Sequence, residues 1–337
     1  MWKHQATAML LTIVLFAGTG MASTLDEVSQ RGYLRCGVST GIPGFSNPDD
    51  QGHWTGIDVD FCRAVAAACL GDASKVKYSA LSAKKRIIAL QTGEIDMLAS
   101  AMSWTLARDT ALGVSFAAIG FYDGQGFLVR KSLGVKSIRD LAKARVCIES
   151  GTTAELNIAD YYALNSMAYT PVLFETTNQI LKAFDNGQCS VVTGDRTQLL
   201  ALQLKLSDPQ AAQVLPEVIS KEPQGLVVRQ GDEAWLSIVR WSLFAMITAE
   251  EYGITSTNVE SQLATADPVM RRFFGLEGIK GEGLGLADDW AVKIVTQVGN
   301  YGEVFERNLG QGAPLKIDRG LNALWTQGGL LYAPPFR

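Results

Sequence analysis

The sequence is poor in histidine and has no concentrated positive charge. Its two histidines, His4 and His53, lie far apart along 337 residues, so they indicate neither a zinc site nor a histidine-based hydrolytic relay. The 30 Lys and Arg residues stand against 34 Asp and Glu residues, and no extended basic patch occurs. This balance argues against a nucleic-acid partner. We expect no metal and no cofactor.

Long apolar runs are also scarce. Residues 1–22 contain Lys3, an apolar stretch from Ala8 to Ala17 and the small-residue sequence Gly20-Met21-Ala22, which is typical of a cleaved export signal. About ten apolar residues are half of what a bilayer crossing needs, and Ser23, the predicted first mature residue, is not a cysteine. We therefore expect a soluble periplasmic protein that is not a lipoprotein.

Two stretches share one layout of helix end, glycine, short strand and polar cluster. They are Leu90–Asp109 (LQTGEIDMLASAMSWTLARD) and Phe184–Asp195 (FDNGQCSVVTGD). The polar residues that they deliver are Ser100, Ser103, Arg108, Thr193 and Asp195. A guanidinium on one unit and a carboxylate on the other can hold the two ends of one zwitterion. The repetition therefore predicts a two-unit protein with a ligand between the units.

Strands and helices alternate in both units, which favours wound, parallel sheets. The predicted strands are Tyr33–Ser39, Lys75–Ser79, Glu94–Ala99, Arg145–Glu149 and Pro171–Glu175. The predicted helices are Ile57–Leu70, one capped by Ser82 that ends before Gly93, Thr177–Asp185, and Ala234–Ala249, which contains an arginine and is predicted to be a buried helix.

A further helix is predicted to begin at Thr152 and Thr153. Thr152 and Glu155 have the spacing of a capping box. Because a helix start offers unpaired N–H groups and a positive dipole end, it can bind a carboxylate. Capping alone would also explain both threonines, so this alternative stays open.

Two similar segments, Asp123–Arg130 (DGQGFLVR) and Glu222–Arg229 (EPQGLVVR), each place Gln-Gly before an apolar strand. They are what a paired crossover between two lobes would look like, and glycine tolerates the backbone rotation of a hinge. Two ordinary turn-to-strand junctions would give the same pattern.

The five cysteines can form two disulfides, as an oxidising compartment allows. Cys62 and Cys69 are seven positions apart in one predicted helix, about 10.5 Å along its axis, which is too far for a bridge. We prefer the pairs Cys36 with Cys62 and Cys147 with Cys189, while five reduced thiols remain the alternative.

Several segments in order resemble the periplasmic solute-binding proteins of amino-acid ABC transporters, in the branch that serves general or polar L-amino acids. The segments are LRCGVSTGIPGFS, GIDVDFCRAVAAA, LQTGEIDML, WTLARDTALG, FYDGQGFLVR, VCIESGTTAELNIADY, ISKEPQG and VRQGDEAW. They cover most of residues 31–250, and residues 255–337 resemble the C-terminal region of the same branch.

The resemblance implies an α/β, two-lobed periplasmic-binding-protein fold of type II, each lobe a mostly parallel sheet flanked by helices. Residues 23–122 and 226–337 would form lobe 1, residues 127–221 lobe 2, and residues 123–126 and 222–225 the hinge. The implied function is capture of a free L-amino acid for a membrane permease, by a protein that we expect to be a monomer and not an enzyme.

The resemblance also implies roles for single residues. Arg108 would bind the α-carboxylate together with the Thr153 N–H, and Asp195 would accept the α-ammonium. The remaining expected contacts are Ser100, Ser103, Thr152 and Phe45, the last covering the ligand side chain.

The sequence departs from the branch in two places. Ser100-Ala101-Met102-Ser103 stands where many relatives carry Arg-Asn-Thr-Thr, and Arg196 stands where they favour Gln. The side-chain preference is therefore open. The alternative class is a periplasmic dehydratase of the cyclohexadienyl or arogenate type, which would need a positioned acid or base.

Overall fold

Two five-stranded sheets, each covered by helices, form the two lobes of the protein. The computed structural model describes residues 23–278 and 281–337, so the predicted export signal at residues 1–22 lies outside the described residues. One sheet has the strand order β4-β1-β5-β12-β6 and the other β11-β7-β10-β8-β9, with the elements bounded as follows.

The first part of lobe 1 contains α1 (Thr24–Arg31), β1 (Leu34–Val38), β2 (Asn47–Pro48), β3 (Trp54–Thr55), α2 (Ile57–Leu70), β4 (Val76–Ala80), α3 (Arg86–Gln91), β5 (Met97–Ser103), α4 (Leu106–Ala111) and β6 (Val114–Asp123). Lobe 2 contains β7 (Gln125–Arg130), β8 (Arg145–Glu149), α5 (Ala154–Leu164), β9 (Thr170–Phe174), α6 (Thr177–Asp185), β10 (Val191–Asp195), α7 (Arg196–Leu204) and β11 (Ala212–Val214). The chain then returns to lobe 1 with β12 (Glu222–Arg229), α8 (Glu233–Glu251), α9 (Val259–Gln262), α10 (Pro268–Phe273), α11 (Trp290–Val298) and α12 (Tyr301–Asn308).

Both sheets are mixed, which corrects the prediction of mostly parallel sheets. In lobe 1, β1 pairs in parallel with β4 and β5, whereas β12 runs antiparallel to β5 and β6. In lobe 2, β8 pairs in parallel with β9 and β10, whereas β7 runs antiparallel to β10 and β11. Parallel pairing needs a helical crossover between the strands. Because β7 and β12 enter their sheets from the other lobe, no such crossover sets their direction, and both run antiparallel to their neighbours. The α/β class and the two-lobed fold are confirmed.

Several local predictions need adjustment. The strand predicted at Glu94–Ala99 begins later and runs on to Ser103, where it pairs with β12. Ser82 does not cap α3 with its side chain: Lys85 is the N-cap, and the Ser82 carbonyl accepts from the Lys85 N–H at 3.0 Å.

The capping box at Thr152 and Glu155 is also replaced. α5 begins one residue later than predicted, with Thr153 at the N-cap position. Thr152 Oγ1 instead donates to the Glu149 carbonyl at 2.7 Å, and Glu155 Oε2 accepts from the Gly151 N–H at 3.1 Å. Both side chains therefore stabilise the loop before the helix.

Both preferred disulfides are present. Cys36 on β1 is bonded to Cys62 on α2, with 6.3 Å between Cα atoms, and Cys147 on β8 is bonded to Cys189, with 5.8 Å. Cys69 is a free thiol. Burial raises the pKa of Cys69 to about 12, so its reactive thiolate form is scarce near neutral pH.

The long apolar segment after β12 is a core helix of lobe 1. α8 packs against α2 and α11, and Trp235 Nε1 donates to the Asp96 carbonyl at 2.9 Å. Across residues 23–278 and 281–337, no helix combines the length and apolar character that a bilayer crossing requires. The C-terminal residues from 259 onward add buried side chains to this same core.

The two lobes are joined at Gly124 and at the connection between β11 and β12. Gly124 separates β6 of lobe 1 from β7 of lobe 2, and a Cβ added there would meet the Ser220 carbonyl oxygen at 2.8 Å. Glu222 pairs with Asp123 in the lobe 1 sheet. The predicted hinge segment 222–225 thus lies inside β12, and the second crossing comes just before it. The hinge itself stays a prediction.

Candidate functional site

The cleft between the lobes collects the polar ends of several strands. β5 ends at Ser103 and β10 ends at Asp195, and in such sheets ligands bind beyond the carboxyl ends of the strands. The cleft holds a cavity of about 80 Å³. The predicted residues that line it are Ser100, Ser103, Arg108, Thr152, Thr153 and Asp195. Their roles toward a ligand stay predictions.

Phe45 does not line this cleft. Its side chain is 0% exposed and packs edge-on against Phe121 of β6, with 5.4 Å between ring centroids. The loop after β1 folds back, since the Phe45 N–H donates to the Ile42 carbonyl and the Phe45 carbonyl accepts from the Asp58 N–H. This turn directs the aromatic ring into the core, while Ile42 faces the cleft.

Arg108 reaches from lobe 1 toward lobe 2. It lies on α4, where Thr105 caps the helix by accepting from the Arg108 N–H at 3.3 Å. Its Nη1 donates to the Ser103 carbonyl at 2.9 Å, and its Nη2 lies 3.4 Å from the Gly151 carbonyl of lobe 2. Burial lowers the pKa of Arg108, although the group stays a strong base. Among the described residues, the hydrogen-bond partners of its guanidinium are these two carbonyl groups.

Asp195 presents a carboxylate from the opposite lobe. Its Oδ2 accepts from Gln224 Nε2 at 2.8 Å and from Gln198 Nε2 at 2.9 Å. Burial, followed by the negative charges of Asp123 and Glu222, raises the pKa of Asp195 well above its usual value. Within the described part of the chain, no Lys or Arg nitrogen lies within the 4.0 Å of an ion pair with it. A cationic ligand group would supply the missing partner.

A second guanidinium, missed in the sequence, also lines the cleft. Arg86 on α3 is 7% exposed, and its Nη1 donates to the Ser100 carbonyl at 3.0 Å. Its Nε is buried without a hydrogen-bond partner. Burial, and then the positive charge of Arg108, lowers the pKa of Arg86 to about 10. In the sequence Arg86 follows Lys84 and Lys85, and such a run is typical of an exposed helix start.

A buried carboxylate lies behind this part of the cleft. Asp58 on α2 is 5% exposed, and one of its oxygens has no hydrogen-bond partner. Burial raises the pKa of Asp58 to about 7, opposed by a hydrogen bond from the Ala101 N–H and by the charge of Arg86. Ala101 has φ of 48°, a conformation that is uncommon for residues other than glycine. Such backbone strain tends to gather at functional sites.

Lobe 2 faces Arg86 with a further acid. Glu149, at the end of β8, lines the cleft, and its Oε2 accepts from Thr177 Oγ1 at 2.8 Å. Burial raises the pKa of Glu149, while the charge of Arg86 acts in the opposite direction. The cleft thus carries two guanidiniums, Arg86 and Arg108, and two carboxylates, Glu149 and Asp195. The charge of Arg86 acts on both carboxylates.

The hydroxyls of Ser103 and Thr153 are engaged by a residue that the sequence did not single out for the site. Both donate to Oε2 of Glu222, Thr153 at 2.8 Å. The sequence marked Glu222 only as part of a crossover, and no local pattern shows that it contacts both lobes.

The rim of the cleft is bridged by side chains of lobe 2. Asn178 Nδ2 donates to the Thr40 carbonyl at 3.2 Å. Lys205 Nζ donates to the Gly41 carbonyl at 3.0 Å and to Asn47 Oδ1 at 2.9 Å. These contacts describe lobes that are closed over the cleft.

The chain has clear relatives among known proteins. Residues 34–257 match the bacterial extracellular solute-binding proteins, family 3. The general L-amino acid-binding periplasmic protein AapJ of Rhizobium johnstonii is 52% identical over 95% of each chain. The glutamate/glutamine/aspartate/asparagine-binding protein BztA of Rhodobacter capsulatus is 49% identical over 96% of each chain.

Among solved structures, a periplasmic binding protein of an ABC transporter from Brucella ovis, with glutathione bound, has a TM-score of 0.92 and 50% identity. The match covers 94% of this chain and 100% of that one.

Proposed function

Because the chain belongs to the bacterial extracellular solute-binding proteins of family 3, we propose that it captures a free L-amino acid between its lobes and delivers it to the permease of an ABC importer. The observation that carries this proposal is the pair of complementary charges at the cleft, Arg108 on lobe 1 and Asp195 on lobe 2. We further propose that the protein acts as a monomer in the periplasm, after cleavage of residues 1–22.

The α-carboxylate would bind at Arg108, where a guanidinium can form two parallel charge-assisted hydrogen bonds. Thr153 stands at the N-cap of α5, so N–H groups of the first helical turn would meet the same carboxylate. The α-ammonium would bind the Asp195 carboxylate, which two glutamine amides already orient. Closure excludes water and strengthens both charge pairs.

The ligand side chain would extend toward Arg86. Its unpartnered Nε offers a buried donor, and a carboxylate or amide oxygen would satisfy it. The naming of BztA for glutamate, glutamine, aspartate and asparagine supports a preference for such side chains. We therefore propose L-glutamate, L-glutamine and their shorter homologues as the first ligands to test.

A second candidate ligand is glutathione, because the similar Brucella ovis protein carries it. Its γ-glutamyl end has the same free α-carboxylate and α-ammonium as an amino acid, so one charge pair could bind either compound. The enzyme alternative has less support, since the relatives above are named as binding proteins.

A thermal-shift panel tests the proposal. Unfolding and refolding would first remove any co-purified ligand, and the panel would contain the twenty L-amino acids, glutathione and prephenate. Binding to the folded state alone raises the melting temperature, and we expect the largest rises with the acidic and amide amino acids. A rise with glutathione only would favour the second candidate. No rise with any amino acid would contradict the proposal. In a separate incubation with prephenate, formation of an aromatic product would establish the enzyme alternative.

A further inference from the structure

Glu222 is the first residue of β12, where the chain returns to lobe 1, and it is 2% exposed. Its two oxygens accept four hydrogen bonds. The donors are Ser103 Oγ, Thr153 Oγ1 at 2.8 Å, Asn157 Nδ2 at 2.7 Å and Ser220 Oγ at 2.6 Å.

These donors come from three parts of the molecule. Ser103 ends β5 of lobe 1, Thr153 and Asn157 belong to the start of α5 in lobe 2, and Ser220 lies in the connection between the lobes. All four are neutral groups. No Lys or Arg nitrogen of the described residues forms an ion pair with Glu222, although its charge acts on Arg108, so this buried carboxylate depends on such donors for its solvation. Glu222 therefore bridges β5 and the start of α5.

Gln224 makes a second contact of the same kind. It lies two residues along β12 from Glu222, and alternate residues of a strand share a face. Gln224 is 3% exposed and donates to Asp195 Oδ2 at 2.8 Å. One strand of lobe 1 thus contacts Thr153 and Asp195, the two lobe 2 residues that the proposed function assigns to opposite ends of the ligand.

We propose that Glu222 is a positioning residue that couples ligand capture to lobe closure. The inference rests on the proposed function. Glu222 is not among the residues that line the cleft, so it acts through Ser103 and Thr153 and not by touching the ligand. When the lobes separate, one oxygen can no longer accept from both β5 and α5. Glu222 therefore favours the closed state and holds the start of α5 beside Arg108.

This role makes a specific kinetic prediction. Removing the carboxylate destabilises the closed complex but leaves the encounter with the open cleft unchanged, so the loss of affinity falls on dissociation. It also leaves Arg86, Arg108 and Asp195 in place, so the order of preference among ligands is unchanged.

The test compares wild type with Glu222→Gln, which keeps the volume, and Glu222→Ala, which removes every acceptor. Glu175→Gln is the matched control, because Glu175 is exposed and its side chain has no hydrogen bond to another described residue. Association and dissociation rates of L-glutamate and L-glutamine would be measured by surface plasmon resonance, and ligand-free melting temperatures by calorimetry.

We expect Glu222→Ala to dissociate at least about tenfold faster, an effect of about 1.4 kcal/mol, with association changed by less than about twofold. Glu222→Gln should be intermediate, and the control should match wild type. If Glu222→Ala fails to fold, Glu222→Gln alone decides. Unchanged dissociation in Glu222→Gln and Glu222→Ala, or slower association in place of faster dissociation, would overturn the inference while leaving the proposed function intact. Failure of wild type to bind any amino acid would reject the proposed function and this inference together.

Discussion

Replacing Asp195 with asparagine removes one charge from the cleft while keeping the shape of the side chain. The amide oxygen of Asn can still accept from Gln198 and Gln224, which donate to Asp195 Oδ2 at 2.9 and 2.8 Å. The change therefore isolates the charge that we assign to the α-ammonium. Truncating one partner of a desolvated charge pair costs about 2–5 kcal/mol, which corresponds to about thirtyfold to several thousandfold in Kd.

Isothermal titration calorimetry on ligand-free protein measures this loss directly. We expect Asp195→Asn and Asp195→Ala to weaken binding of L-glutamate at least about thirtyfold, and Arg108→Ala to do the same from the carboxylate side. Asp160→Asn is the charge-matched control, since Asp160 is an exposed acid on α5 of the same lobe. Near wild-type affinity in both Asp195→Asn and Arg108→Ala would refute the assignment of the two charges.

The pH dependence of binding provides an independent check on Asp195. Its pKa is raised well above the usual carboxyl value by burial and by the charges of Asp123 and Glu222. Only the ionised form pairs with an ammonium group, so the affinity of wild type should fall as the pH drops from neutral through that raised pKa. Asp195→Asn should lose this dependence. An affinity that is constant down to about pH 4.5, close to the usual carboxyl range, would contradict the pairing.

Three further outcomes follow from other contacts. Arg86→Met should weaken the binding of L-glutamate by about tenfold or more and leave the binding of apolar amino acids nearly unaffected, because it removes a buried charged donor. Lys85→Met, on the exposed start of the helix, is the control. Equal losses of affinity for all ligands would contradict the role of Arg86 in binding the ligand side chain. The pKa of Asp58 is raised to about 7, so the stability that its protonated form provides is complete below about pH 4 and is lost as the pH rises through about 7. Thermal unfolding should therefore show that Asp58→Asn becomes more stable relative to wild type between about pH 5 and pH 8. Melting temperatures of the two proteins that change in parallel with pH would contradict this. Replacing both Cys147 and Cys189 with alanine opens a loop of 42 residues, which should destabilise the protein by about 4 kcal/mol in the loop-entropy account. Denaturant unfolding of the variant measures this loss, and an unchanged unfolding midpoint would contradict it.

The sequence predicted best what depends on position along the chain. The predicted helices Ile57–Leu70 and Thr177–Asp185 match α2 and α6 at both bounds. The repeated glycine-strand-polar layout placed Arg108 and Asp195 beyond the carboxyl ends of β5 and β10, one strand in each sheet, and both ends open on the same cleft. The spacing of the cysteines within one helix excluded the wrong disulfide.

The sequence did not predict features that depend on the direction in which a side chain points. Phe45 lies in the loop that follows β1, but a backbone turn directs its ring into the core and leaves Ile42 at the cleft. Arg86 stands in a basic run, and only its burial by tertiary packing distinguishes it from Lys85. The structural role of Glu222 depends on hydrogen-bond donors that are far away in the sequence, such as Ser103. The antiparallel direction of β12 was not predicted either. The chain returns to lobe 1 after passing through lobe 2, and no local sequence pattern shows in which direction it enters the sheet.

Calorimetry with two truncated analogues tests most directly whether the cleft recognises both charged ends of an amino acid. 4-Aminobutanoate is L-glutamate without the α-carboxylate, and glutarate is L-glutamate without the α-ammonium. We predict that L-glutamate binds and that each analogue loses at least about thirtyfold in affinity, because one desolvated charge pair is missing in each case. Binding of glutarate or 4-aminobutanoate as tightly as L-glutamate would contradict the account.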